Sequence, residues 1–207
     1  LLASYYDSEA ARYDGTRGGD ARADEAAAGI LRLLPPTVRV VLDVAGGTGI
    51  VGTRLNRRVI CLDRSLGMAA IAATRLPGQV ILGDAARLPL ASQSVDAVTA
   101  IWLLHLLDDT TVAQVIAAAA RVLRPGGTFI TTVDKAQAHY ATDDDVAAVL
   151  APVWQATRQP ATDHEAKIAE LADAHGLTMA GRTTFTGTGQ ARSPAGWMEY
   201  LRTPTSG

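Results

Sequence analysis

Five short runs of apolar residues recur along the chain, each closed by a polar or glycine residue. Val38-Arg39-Val40-Val41-Leu42-Asp43-Val44 is rich in β-branched residues and runs into Ala45-Gly46-Gly47-Thr48-Gly49. Val59 to Asp63, Gln79 to Asp84, Ser94 to Ile101 and Gly127 to Val133 follow. Their apolar residues fill both faces instead of alternating, so they predict buried parallel strands. Helical patterns lie between them. Asp20 to Leu34 precedes the first strand and stops at Pro35-Pro36, because proline denies the helix an N–H and restricts the residue before it. Ser65 to Leu76 has Ser65 placed as an N-cap and Pro77-Gly78 as a stop. Thr110 to Leu123 ends at Pro125-Gly126-Gly127. Strand and helix in alternation predict an α/β, doubly wound, mostly parallel Rossmann-like sheet flanked by helices, with ligands at the carboxyl edge. Further on, 134–160 reads as irregular or helical, Asp163 to His175 as a helix ended by Gly176, Leu177 to Thr188 as a sixth strand, and Ser193 to Leu201 as a short last helix.

Composition narrows the class. A chain of 207 residues, 48% of them hydrophobic, is one domain with a sizeable core. The net charge of −2 offers no electrostatic footprint for nucleic acid or anionic lipid. The single cysteine, Cys61, excludes an internal disulfide framework and a cysteine-cluster metal site, so a reducing, cytoplasmic location is the default. The start carries Tyr5, Tyr6 and Asp7 where a secretory segment would be apolar, and no run is long enough to span a bilayer. No His/Asp/Glu spacing suggests a metal; His164 and His175, eleven residues apart on an expected helix, read as solvent-facing.

The chemistry gathers at the strand ends. Gly47-Thr48-Gly49-Ile50-Val51-Gly52 fits G-x-G-x-x-G, which alone invites a dinucleotide. Asp43 argues against it, since a carboxylate just before the loop repels a diphosphate and attracts an ammonium. Asp63 ends the second strand and Asp84 the third. A ligand with an amino acid at one end, a ribose in the middle and an adenine at the other satisfies all three. Asp43 would hold the ammonium, Asp63 both ribose hydroxyls, and Asp84 the adenine amine, with the Ala85 amide on a ring nitrogen. Gly46, Gly47 and Gly49 let the backbone approach. That ligand is S-adenosylmethionine. A bare tight turn, or Asp63 as a helix N-terminal charge, is the plainer reading of each feature singly.

Val41 to Gly49, Leu62-Asp63-Arg64-Ser65-Leu66-Gly67-Met68, Gly83-Asp84-Ala85-Ala86-Arg87-Leu88-Pro89-Leu90, Ser94 to Val98 and Arg121 to Gly127 arrive in an order that resembles the class I S-adenosylmethionine-dependent methyltransferases. The resemblance is to their small-molecule branch of ubiquinone/menaquinone-type and actinomycete natural-product enzymes. It implies a helical cover over 1–18, a cofactor-binding core over 20–133, a lid or acceptor segment over 134–160, and a C-terminal helix and edge strand over 161–207. It also implies cofactor contacts from Tyr13 and Arg17, which would reach the methionine carboxylate, and from Ala45, Arg64, Met68, Gly83 and Ile101. Ala45 stands where the family has its first glycine; a methyl is tolerable there if φ is negative. No seventh strand follows Leu201, so either the chain stops short or the fold is trimmed at that edge.

Transfer from an activated sulfonium depends on positioning, with a general base for an oxygen or nitrogen acceptor. His105, after the fourth strand, is the candidate base; a packing or capping histidine is the alternative. His139 and Tyr140 are candidates for the acceptor pocket, and Trp102 and Trp154 for its apolar wall. The acidic run Asp143 to Asp145 reads as a solvated helix start. The expected partner is a small apolar or aromatic acceptor, with neither nucleic acid nor membrane, and a dimer left open. Two alternatives remain: an S-adenosylmethionine-binding cyclase or dehydratase, and an NAD(P)-dependent reductase, although neither Lys135 nor Lys167 lies four residues after a tyrosine as in short-chain reductases. A nucleic-acid methyltransferase is disfavoured, because the fourth strand runs into Trp102-Leu103-Leu104 and not into a Pro-Pro-Tyr type of motif. Only Lys135 and Lys167 among 19 basic residues are lysines, the usage of a GC-rich actinobacterial genome.

Overall fold

A computed structural model of the chain describes residues 2–135 and 161–186. Helices α1 (Leu2–Thr16) and α2 (Gly19–Leu33) precede strand β1 (Val40–Val44). Strand β2 (Arg58–Asp63), helix α3 (Leu66–Arg75), strand β3 (Val80–Leu82) and strand β4 (Val95–Ala100) follow. Helix α4 (Asp109–Val122), strand β5 (Leu123–Thr131) and helix α5 (Glu165–Asp173) complete the described elements. The strands form one parallel sheet in the order β3-β2-β1-β4-β5. The order reverses between β1 and β4, and the carboxyl ends there form the crevice where ligands bind in such sheets.

Alternate residues of each strand feed two cores. Val41, Val59, Cys61 and Ala97 pack with Ala26 and Ile30 of α2 and Ala72 of α3 on one face. Leu42, Val44, Leu62 and Val98 pack with Val112, Val115 and Ile116 of α4 on the other. Burial on both faces is why these runs lack polar alternation. The helix starts follow from capping: the Ser65 hydroxyl accepts from the Met68 amide at 3.1 Å, as the sequence predicts, and Asp108 caps α4 through the Thr111 amide at 2.9 Å.

Three expectations change. Pro125-Gly126-Gly127 does not precede β5 but lies within it: Val95 pairs with Leu123 and Ala97 with Thr128, so the Pro-Gly-Gly triplet bulges out of the ladder. Leu177 to Thr186, the described part of the expected sixth strand, forms no strand; its main chain instead meets α2, where Arg32 donates to the Thr184 carbonyl at 2.9 Å. His164 is the N-cap of α5, its Nδ1 accepting from the Ala166 amide at 3.2 Å, while both His164 and His175 are exposed as expected. The last expected helix, Ser193 to Leu201, lies outside the described residues. No helix among the described residues is long and apolar enough to cross a membrane.

The N-terminal helix expected as a cover is present as α1, and aspartates fasten it. Asp7 Oδ1 accepts from the Ser65 hydroxyl at 2.5 Å and the Gly67 amide at 2.9 Å. Asp14 accepts from the Thr48 hydroxyl at 2.7 Å and pairs with Arg75 at 2.7 Å. Gly67 permits the close approach, because a Cβ there would lie 3.0 Å from the Asp7 carbonyl.

Candidate functional site

A cleft opens over the carboxyl ends of β1 to β4 beneath α1. Asp43, Asp63 and Asp84 all line it. Parallel register sets Asp43 opposite Cys61, two positions short of Asp63 on the neighbouring strand, and Asp63 opposite Leu82.

Each carboxylate has a distinct setting. Asp43 is only 3% exposed, and its Oδ1 accepts from the Thr99 hydroxyl at 2.7 Å. Burial pushes its carboxyl up to about 6, against the pull of the Thr99 bond and with a further push from Asp63. Asp63 accepts from the Gly47 amide through Oδ2 and the Ser65 amide through Oδ1, each at 2.8 Å. Burial nevertheless raises its carboxyl above the ordinary value. Asp84 is more open; it accepts from the Ala86 amide at 3.0 Å, which, with Arg87, holds its carboxyl low.

Ala45, Gly46, Gly47, Arg64, Met68, Gly83, Ala85, Ile101 and Tyr13 also line the cleft. Two expected contacts do not. Gly49 turns inward, where a Cβ would press on Ala72 of α3 and on Leu76 just past its end, at 3.2–3.3 Å; its φ of +73° serves the turn. Arg17 points to the tyrosines of α1, 5.7 Å from the Tyr13 ring centroid and 3.5 Å from the Tyr5 hydroxyl. The condition set on Ala45 is not met: its φ is +55°, the left-handed region, so the methyl is carried in a strained backbone. His105 sits in the 3-10 turn Leu104–Leu106; its neighbours Leu103, Leu106 and Leu107 line the cleft, and His105 is not among the lining residues. His139, Tyr140, Trp154 and Asp143 to Asp145 lie outside the described residues.

Thr99 and Tyr6 escaped the sequence reading as site residues. Thr99 faces Asp43 across β1 and β4, and its signal was a hydroxyl in a strand whose only other polar residue is Asp96. Tyr6 lines the cleft beside Tyr13, its ring 5.9 Å away, with its phenol pushed up to about 12 by burial and then by Tyr13. Trp102, one of the two tryptophans expected in an apolar wall, lines the cleft; its φ is +58° and its amide donates to the Thr132 hydroxyl at 2.8 Å.

Residues 42–131 match the family described as methyltransferase domain. An uncharacterized methyltransferase of Mycobacterium tuberculosis is 42% identical over 99 residues, 46% of this chain and 40% of that protein. A demethylmenaquinone methyltransferase of Mycolicibacterium paratuberculosis is 38% identical over 138 residues, 62% of this chain and 57% of that one. The chain therefore spans about half the length of the curated relatives it matches. In fold it resembles a putative methyltransferase bound to the Haloferax volcanii Trm112 activator, with a TM-score of 0.66 at 22% identity over 90% of this chain and 81% of that one. A Thermotoga maritima S-adenosylmethionine-dependent methyltransferase gives 0.60 at 20% identity over 85% and 81%.

Over residues 42–131 the chain is similar to the methyltransferase domain family, and its parallel sheet is the fold of those methyltransferase structures.

Proposed function

We propose that the protein binds S-adenosylmethionine in this cleft and transfers its methyl group, in the cytoplasm, to a small apolar or aromatic acceptor. One observation carries the reading: three aspartates end successive strands in one cleft, in environments graded from fully buried to open. The residues fit the cofactor. Asp63 is oriented by two backbone amides and still borders the cleft, so its remaining lone pairs suit a pair of ribose hydroxyls. Asp43 suits an ammonium, whose charge would draw its raised carboxyl into the ionised form. Asp84, with the Ala85 amide beside it, suits the adenine edge. Tyr13, which lines the cleft, suits the amino-acid carboxylate, with Arg17 against its ring outside the cleft lining. Bound S-adenosylmethionine supplies an electrophilic methyl on a positive sulfur.

The chain's own part is to align and to keep water out. Ile101, Trp102, Leu103, Leu106 and Leu107 line the cleft with apolar surface past the end of β4. That surface favours an apolar acceptor and a dry site. His105, in the turn between those leucines, would take the proton of an oxygen or nitrogen acceptor, with His139 and Tyr140 on the acceptor side. The demethylmenaquinone relatives are consistent with an aromatic acceptor.

The test has two stages. S-adenosylhomocysteine should raise the melting temperature and NADH should not; the reverse result sinks the proposal. Protein given methyl-labelled S-adenosylmethionine and a chloroform-soluble metabolite extract should then deposit label in the organic phase. Binding without any transfer would leave a cofactor-binding protein that is not a methyltransferase.

A further inference from the structure

The most deeply buried acid of the cleft depends on a hydroxyl from the next strand. Thr99 is fully buried in β4 and stands opposite Asp43 of β1 in the parallel register, while Cys61 of β2 stands opposite Asp43 on the other side. Residues paired in this way carry their side chains on one face of the sheet. The Thr99 hydroxyl donates to Asp43 Oδ1 at 2.7 Å. The second oxygen lies under the glycine loop: a Cβ on Gly46 would sit 2.7 Å from both Asp43 Oδ2 and Cys61 Sγ. Among the described residues no group donates a hydrogen bond to that oxygen. Asp43 lines the cleft, as Gly46 does. One oxygen is thus engaged inside the sheet and the other is left for a ligand.

Packing alone does not call for a hydroxyl at this position. Valine has the same shape and suits a buried strand, and the β4 neighbours Ala97, Val98 and Ala100 are apolar. A β-branched residue has few χ1 choices, so the hydroxyl is aimed before any ligand arrives. Its bond favours the charged form of Asp43, against burial and the nearby charge of Asp63. The titratable groups facing Asp43 are Asp63 and the buried Cys61 thiol, both on β2 and neither a cation. β4 contributes Thr99, and α1 contributes the phenols of Tyr6 and Tyr13 on the cleft. No cation among the described residues acts on Asp43, so holding it ready falls to Thr99.

We propose that Thr99 is a positioning residue for the cofactor's ammonium: it fixes Asp43 through Oδ1 and so presents Oδ2 to the amino-acid end of the ligand. This rests on the S-adenosylmethionine reading above. It adds a residue that acts from behind the cleft wall, through Asp43.

S-adenosylhomocysteine and 5′-methylthioadenosine separate the two ends of the site. Both carry the ribose assigned to Asp63, and only the first carries the ammonium. The readout is the ratio of their affinities, by calorimetry, between pH 5 and pH 8. In the unaltered protein that ratio should fall about tenfold as pH drops from 7 to 5. Thr99→Val should move the midpoint of the fall up by about one pH unit and lower the ratio about fivefold at pH 6. Thr99→Ser, which keeps the hydroxyl, should restore the unaltered curve. A level ratio in the unaltered protein overturns the proposal and needs no variant to fold. Equal losses for both ligands in Thr99→Val, or an unshifted midpoint, make Thr99 a packing residue and overturn it as well. Binding of both ligands to the unaltered protein leaves the cofactor assignment standing in each of those cases. Failure of the unaltered protein to bind either ligand removes the earlier reading, and this one with it.

Discussion

The two halves of the sheet's carboxyl edge are built by different means. At β1 to β3 the polar groups are acids within two residues of a strand end, and two of them are oriented by backbone, Asp63 by the Gly47 and Ser65 amides and Asp84 by the Ala86 amide, while Asp43 is held by the Thr99 hydroxyl. At β4 and β5 the polar groups are cations brought from far apart in sequence, with Arg22 lying on Trp102 and Lys135 tied to Asp163. Acids held by backbone amides are rigid before any ligand arrives, whereas side chains gathered from several elements can be exchanged one at a time.

If the acidic half is the cofactor site, Asp63→Ala should have the largest effect. Losing two charge-assisted acceptors should weaken S-adenosylhomocysteine by about a hundredfold or more in calorimetry. Equal affinity in the variant and the parent would break the comparison at its strongest point. On the other half, His105→Ala should slow turnover about a hundredfold while leaving that affinity nearly unchanged. A loss of cofactor affinity there would mean the halves are not separate.

Asp43 gives a pH test. Its carboxyl in the folded protein sits at about 6, above its ordinary value of 3.8. The folded state therefore holds the proton more tightly than the unfolded one. Ionised Asp43 costs stability above pH 6, and the cost fades as pH falls from 6 towards 4. An ammonium ligand needs the ionised form, so affinity for S-adenosylhomocysteine should drop as pH falls below about 6, by up to about tenfold per unit. Asp43→Asn should flatten that dependence and weaken binding. It should also raise the melting temperature of the ligand-free protein at pH 8 by a few degrees, since roughly 1–3 kcal/mol of desolvation cost is removed. A lower melting temperature in that variant would make Asp43 a structural residue. The smallest effect belongs to Ala45→Gly: relieving the positive φ should add about 1 kcal/mol in urea unfolding, and no gain would show that the turn carries no strain there.

The sequence revealed the half made of local signals. β1, the Ser65 cap and the aspartates at the strand ends depend on neighbours within a few positions, so apolar runs, prolines and a hydroxyl at the right offset sufficed. The other half was less legible: Trp102 was expected in the apolar wall, but nothing local pairs it with Arg22, 80 residues away (102 − 22). The same limit explains two errors. Whether Ala45 has positive φ depends on how the turn docks on β2, where the Gly46 amide donates to the Leu62 carbonyl at 3.2 Å. Leu177 to Thr186 has a strand's composition, but its contacts with α2, including the Arg32 bond to Thr183, displace sheet pairing. Asp96 illustrates a residue that matches the family pattern yet serves the scaffold, since it accepts the Arg39 and Val40 amides, each at 2.9 Å, at the foot of β1.

The fastening of α1 has a mechanical consequence. Asp7 grips the Ser65 hydroxyl, and the Ser65 amide orients Asp63. Asp14 grips Thr48, next to the glycine whose amide completes that orientation. Two anchor points on the first helix thus straddle one carboxylate, and any force on that helix, from a fused tag, a crosslink at Tyr5 or a neighbouring protein, would be transmitted to Asp63 through Ser65 on one side and through Thr48 and Gly47 on the other.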